Sequence, residues 1–174
     1  RAATLTRQLL AFSRQQVLQP RVLDLNDVVS AVWKLLERLV GEAVTLECSA
    51  GESLGAVTAD PVQVEQVLLN LIKNGIEAMH DTPVERRRLN IGARQIDARL
   101  LQVEVADNGH GLAEEDVEKI FAPFYTTKQE GMGIGLAICR SIIEFHQGHL
   151  WVEARHEGGT VFRFTVPIEE IDDE

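Results

Sequence analysis

Two asparagines four residues apart, Asn70 and Asn74, interrupt an otherwise apolar run, Gln66-Val67-Leu68-Leu69-Asn70-Leu71-Ile72-Lys73-Asn74-Gly75-Ile76-Glu77-Ala78. At that spacing both side chains leave one face of a helix. An amide carbonyl is a hard oxygen ligand, suited to Mg²⁺ held between protein and phosphates. Amides that face solvent or cap a loop are the plainer alternative. A second group, Asp107-Asn108-Gly109-His110-Gly111, directly follows an apolar strand. A carboxylate at a strand end can accept a hydrogen bond from an exocyclic amine such as adenine's, and the two glycines let backbone pass close to a ligand. The same residue types also populate ordinary turns.

A third group, Gly131-Met132-Gly133-Ile134-Gly135-Leu136, opens an apolar helix. Alternate glycines before a helix N-terminus make a backbone cradle for phosphate, aided by the helix dipole. The spacing is not the G-x-G-x-x-G of a dinucleotide fold, and no strand immediately precedes it. It also lacks the G-K-[ST] ending of a P-loop. Between these glycine segments lies Phe121-Ala122-Pro123-Phe124-Tyr125-Thr126-Thr127-Lys128. Its aromatics could hinge a lid and Lys128 could reach a phosphate, while Phe121 and Phe124 are also expected as core anchors.

The elements that must position these groups are legible in the spacing. Residues 1–18 place Leu5, Leu9, Phe12 and Gln16 on one helical stripe, and Pro20 ends that helix. A second amphipathic helix carries Val28, Val29, Val32, Leu35, Leu36, Leu39 and Val40, capped by Asp24 or Asn26 and stopped by Gly41. Val44 to Cys48 alternates like a strand. Asp60-Pro61-Val62-Gln63 predicts the start of the asparagine-bearing helix, which runs to about Met79. A polar loop from His80 to Arg88 leads to strands near Leu89–Ala93 and Leu101–Ala106. A helix from about Gly133 to His146 and strands near His149–Ala154 and Thr160–Pro167 close the chain, with a turn at His156–Gly159. Helix and strand interleave without a βαβ rhythm, which predicts an α+β fold, a two-layer α/β sandwich with helices on one face of a mixed sheet.

Composition sets the frame. With 174 residues, 45% of them hydrophobic, the chain can bury one sizeable core. A net charge of -10 argues against a nucleic-acid partner, which needs clustered basic surface. Arg86-Arg87-Arg88 is the one dense basic run and is expected in a solvated loop. No apolar run reaches the roughly 18–20 residues of a spanning helix, so no membrane contact by this piece is expected. Cys48 and Cys139 show no metal-ligand spacing and are expected as buried free thiols, as in a reducing cytoplasm. The chain begins at Arg1, without a methionine and in helical register, which predicts a piece of something larger.

In this order the four segments resemble the N, G1, F and G2 boxes of sensor histidine kinases. Gln66 to Ala78 resembles the N box, Asp107 to Gly111 the G1 box, Phe121 to Tyr125 the F box and Gly131 to Leu136 the G2 box. Gly159-Thr160-Val161-Phe162 is similar to the closing motif whose threonine supports the adenine-binding aspartate. Single boxes are weakly specific; four in series over nearly the whole chain are not. The resemblance implies the Bergerat ATP-binding sandwich. By position it gives Asp107 the adenine amine, Asn74 the Mg²⁺ and Asn70 the phosphates, with Asn70, Lys73 and Lys128 as the catalytic candidates. Gly109, Gly111, Thr126, Thr127 and Thr160 would line the nucleotide. Gly131, Met132, Gly133, Ile134, Gly135 and Leu136 would line the polyphosphate. Only Thr126 to Glu130 separate the F-like segment from Gly131, a short lid like that of the nitrogen-regulation and oxygen-sensor kinases.

Hydrolysing relatives carry a glutamate where this chain has Asn70, and an amide cannot act as a general base. Catalysis is then positioning and charge neutralisation toward a nucleophile from elsewhere. His80, His110, His146, His149 and His156 all lack the family's phosphoacceptor setting, H-E/D-x-x-x-P on a helix. Residues 1–20 resemble the second helix of the dimerisation and phosphoacceptor hairpin, residues 21–168 the catalytic domain, and residues 169–174 an acidic tail. The resemblance implies a homodimerising hairpin and a response-regulator receiver domain as partners. A nucleotide-dependent interaction scaffold and a serine-directed kinase of the anti-sigma-factor type are the competing readings.

Overall fold

Two aspartates start the helices that carry much of the core. After the short strand β1 (Arg21–Leu23), the Asp24 carboxylate accepts the Asn26 backbone N–H at 2.8 Å and opens α1 (Leu25–Val40), which stops at Gly41. Asp60 opens α2 (Pro61–Ala78) in the same way, accepting from Val62 and Gln63 at 3.0 and 3.4 Å. A cap of this kind is worth about 1 kcal/mol. In this computed structural model the described residues are 18–51, 54–126 and 133–169. The helix expected over 1–18 and the acidic tail lie outside them, apart from Leu18 and Glu169.

The sheet has five strands: β2 (Thr45–Ala50), β4 (Arg88–Gln95), β5 (Leu100–Asp107), β7 (Thr160–Pro167) and β6 (Leu150–Ala154), in that spatial order. The β2–β4 pair is parallel and the others antiparallel, so the sheet is mixed as expected. Register puts Ile91, Val105, Phe162 and Val152 in one buried row and Ala93, Val103, Phe164 and Leu150 in the next. Against these rows pack Val32 and Leu36 of α1, Leu68 and Ile72 of α2, and Ile142 and Ile143 of α3 (Gly135–Phe145). The opposite sheet face is polar and carries ion pairs such as Arg163–Glu104 at 3.2 Å and Arg88–Glu47 at 3.2 Å. The α+β two-layer sandwich read from the sequence is the fold observed.

One element is additional to the sequence reading and three local readings change. β1 pairs antiparallel with β3 (Val57–Ala59), a ribbon too short for a period-two signal to reveal. Cys48, expected buried, is exposed because β2 is an edge strand, whereas Cys139 is buried as expected. Phe124, expected as a core anchor, is 57% exposed, while Phe121 is buried against Phe162. The basic run is only partly a solvated loop. Arg87 staples its own turn through bonds to the carbonyls of Thr82 and His80, and Arg88 already belongs to β4. Among the described residues no helix is long and apolar enough to cross a membrane.

Candidate functional site

Asp107 ends β5 on the helix-covered side of the sheet and is only 2% exposed. A bare carboxylate there is costly, so the surrounding backbone answers it. Its Oδ1 accepts the Gly109 N–H at 2.9 Å, and the backbone of Thr160 gives a second hydrogen bond. Arg155 donates from Nη1 to the Asp107 carbonyl at 2.8 Å. Burial still dominates and pushes the carboxyl above its ordinary value, against the pull of those backbone hydrogen bonds and the charges of His110 and Arg155. The turn that follows crosses the end of α2 at contact distance: His110 N–H donates to Ala78 O at 3.0 Å, and a methyl group on Gly109 would lie 2.3 Å from that oxygen. Glycine is required there.

The asparagine helix presses against this aspartate. A methyl on Gly75 would lie 3.4 Å from Asp107 Cβ, so the residue next to Asn74 touches the buried carboxylate. Asn70 and Asn74 are half-buried, on one side of α2. Asn70 faces the start of α3: its amide meets the Cys139 thiol, and a methyl on Gly135 would lie 4.0 Å from Asn70 Oδ1. No side chain caps α3 at Ile134. Among the described residues no side chain takes its first backbone N–H groups, and such a helix start suits an anion.

The F-like segment closes the other side. Gly133 has φ +69°, a left-handed conformation, and a methyl there would lie 2.5 Å from the backbone of Phe124 and Tyr125. Phe124 N–H donates to Gly133 O at 2.9 Å, which ties the F-like segment to the residues just before α3. Tyr125 OH donates to Asp116, which together with partial burial and the charge of Glu115 raises the phenol above its ordinary value. Arg140 of α3 stacks 4.2 Å above the Phe121 ring.

The structure thus sets Asp107 and Gly109 against Gly75 and Ala78 at the end of α2, and Asn70, one turn before Asn74, against the Gly135 end of α3, with Ile134 buried and Leu136 half-buried beside it. Gly111 and Thr160 lie beside the Asp107 turn. Lys73 is exposed and sits 4.0 Å from Glu77. Thr126 is exposed after the F-like segment. Thr127, Lys128, Gly131 and Met132 lie outside the described residues. Sequence reasoning missed Gly75, Cys139 and Arg155. Gly75 left a signal, because a glycine inside a helix costs about 1 kcal/mol relative to alanine and wants a packing reason. Cys139 and Arg155 left none, since their roles arise from contacts 69 and 48 residues distant in sequence. Among the described residues no group of three or more His, Cys, Asp or Glu could hold a metal ion. The donors on offer are amide oxygens, which fits Mg²⁺, a cation that takes few protein ligands and fills its shell with phosphate and water oxygens.

Comparison with known proteins agrees with this geometry. Residues 59–170 match the family described as histidine kinase-, DNA gyrase B- and HSP90-like ATPases. The chain is 41% identical to the sensor kinase CckA of Brucella abortus over 96% of its own length, but it spans only 19% of that protein. It superimposes on a nucleotide-free catalytic domain of the histidine kinase ThkA with a TM-score of 0.76 and 35% identity, covering 86% of this chain and 96% of that one. A structure of ThkA in complex with the response regulator TrrA gives a TM-score of 0.80 at 32% identity, covering 97% of this chain and 48% of that one.

Proposed function

Since the chain belongs to the histidine kinase-, DNA gyrase B- and HSP90-like ATPases, and within them carries the sensor-kinase type of catalytic domain, we propose that it binds ATP with Mg²⁺ and presents the γ-phosphoryl group to a histidine on a hairpin outside residues 21–168. The observation that carries this reading is the buried Asp107 carboxylate packed against one end of α2, while Asn70 of the same helix meets the start of α3, which has no side-chain cap. Adenine's exocyclic amine would donate to Asp107, a buried carboxylate already held by the backbone of Gly109 and Thr160. The backbone N–H groups from Gly133 to Leu136 would then take the phosphates, with Asn70 beside them and Lys73 and Lys128 contributing charge. Asn74 would hold Mg²⁺, which supplies charge neutralisation to the phosphates when bound.

Asn70 cannot take a proton from water, so the cleft holds ATP for an external nucleophile rather than for hydrolysis. The complex of ThkA with TrrA supports relay of the phosphoryl group to a response-regulator aspartate. In the parent protein, residues 1–20 would complete a dimerising hairpin, and the reaction would take place in the cytoplasm, where ATP is supplied. The catalytic domain would span residues 21–168, a reading supported at its ends by β1 from Arg21 and by the bridge from Ile168 to Val57.

The test is transfer from radiolabelled ATP to an added hairpin bearing the family's phosphoacceptor histidine. Acid-labile, alkali-stable label on the hairpin is expected. Label confined to serine would overturn the histidine assignment, and nucleotide binding with no transfer to any residue would favour the nucleotide-dependent scaffold.

A further inference from the structure

Asp60 and His146 are 86 residues apart and in contact. The Asp60 backbone N–H donates to His146 Nε2 at 3.1 Å, while His146 Nδ1 lies 2.7 Å from the Ile142 carbonyl one turn back on α3. A carbonyl only accepts, so Nδ1 carries the proton and Nε2 is left as an acceptor; the ring is neutral and held in one tautomer. Asp60 is also the cap of α2, with Oδ1 accepting from Val62 and Gln63. Its Oδ2 accepts the Gln19 N–H at 3.0 Å. One residue pair therefore joins the start of α2, the end of α3 and the segment that leads into the domain.

The two helices run antiparallel, since Asp60 meets His146 at one end and Asn70 meets Gly135 at the other. At 1.5 Å per residue, Asp60 to Asn70 and Gly135 to His146 are about 15 and about 16.5 Å long. Matched spans mean that a pin at the Asp60 end decides which residue of α3 lies opposite Asn70. A slip of one turn, ~5 Å, would carry the glycine-led start of α3 away from the amide pair.

We infer that His146 is a positioning residue of the nucleotide site: by accepting the Asp60 N–H it fixes the axial register of α3 on α2, and so the gap between Asn70 and the phosphate-binding start of α3. The inference rests on the nucleotide reading above and adds to it a residue at the far end of α3, remote from the ligand. Removing the acceptor should loosen the phosphate end of the cleft and leave the Asp107 end unaltered.

The experiment uses the 174-residue chain as wild type, His146→Gln, whose amide oxygen can replace the acceptor, and His146→Leu, which fills the space without one. Each is titrated with Mg²⁺ and a non-hydrolysable ATP analogue by calorimetry, and with adenosine by NMR, below its melting temperature. Expected are a loss of about tenfold in analogue affinity for His146→Leu with adenosine affinity changed less than about twofold, and a His146→Gln variant within about threefold of wild type for both. Equal analogue affinity in wild type and His146→Leu would overturn the role, as would equal losses for analogue and adenosine, which mark general destabilisation. Should His146→Leu not fold, ¹⁵N spectra of the wild-type imidazole decide: the Nδ1–H tautomer is expected, and an Nε2–H tautomer overturns the pin. A wild-type chain that binds no analogue while His146 shows the Nδ1–H tautomer would instead bring down the nucleotide reading itself.

Discussion

Gly75 and Asp107 are in contact across the helix–sheet interface: a methyl group on the glycine would lie 3.4 Å from Asp107 Cβ, 3.5 Å from its Oδ2 and 3.0 Å from Leu89 Cδ1. Helix α2 and the aspartate thus share one surface, and a bulky residue at 75 would press on the carboxylate. Gly75→Ala should be tolerated, because Leu89 offers only the end of a flexible side chain and the helix gains about 1 kcal/mol of propensity. Gly75→Val should cost about 1–3 kcal/mol and displace Asp107. Urea denaturation and calorimetric nucleotide titration check both. Comparable nucleotide affinity in the wild-type and valine proteins would show that this contact does not position the carboxylate.

Asp107 is costly to the unliganded fold. Its folded carboxyl is raised above its ordinary value of 3.8, mainly by burial, so the folded chain holds that proton more tightly than the unfolded chain. The stabilising contribution is therefore complete at pH below the ordinary carboxylate value and is lost as pH rises through the raised folded one. Asp107→Asn should melt higher than wild type at neutral pH, with the difference shrinking as pH falls toward 4. The same change should weaken nucleotide binding about tenfold or more, the worth of a hydrogen bond to a charged group. Thermal melts over pH 4–8 test the first part; an Asn variant no more stable at pH 7 than at pH 4, relative to wild type, would contradict it.

The two cysteines should react very differently. Burial pushes the Cys139 thiol up to about 12, with the contact to Asn70 pulling weakly the other way, while Cys48 is exposed on the edge strand. A thiolate is the reactive form, so a disulfide reagent at pH 8 should modify one of the two thiols in the native chain and both in denaturant. Cys48→Ser should leave none reactive until unfolding. Rapid native labelling of Cys139 would contradict its packing behind Asn70.

Asn74→Ala should act through the cation. Nucleotide affinity measured in chelator should change little, whereas the gain on adding Mg²⁺ should fall by about tenfold, the scale of one lost oxygen ligand in a site with few. An unchanged Mg²⁺ increment would assign the ion to another group.

Much of this arrangement was legible in the residues because the signals were local. Asp24, Asp60, Pro61 and Gly41 mark helix ends within a few residues, and the α2 stripe of Val64, Val67, Leu68, Leu71 and Ile72 is buried as its spacing predicts. The Asp107 turn was visible for the same reason. What stayed hidden was either very short or purely tertiary. β1 and β3 have three residues each and gain their pairing only from one another. Arg155 reaches Asp107, and His146 reaches Asp60, only once the sheet and helices have assembled. Cys48 and Phe124 are apolar enough to be read as core, and only the position of β2 at the sheet edge and of Phe124 at the lid base exposes them.

The most direct test of the central claim compares wild type and Asp107→Ala by calorimetric titration with Mg²⁺ and a non-hydrolysable ATP analogue, at a temperature where both are folded. Saturable binding by wild type and none measurable by the variant is the predicted result. Equal affinity in the two proteins would place the nucleotide elsewhere and contradict the account.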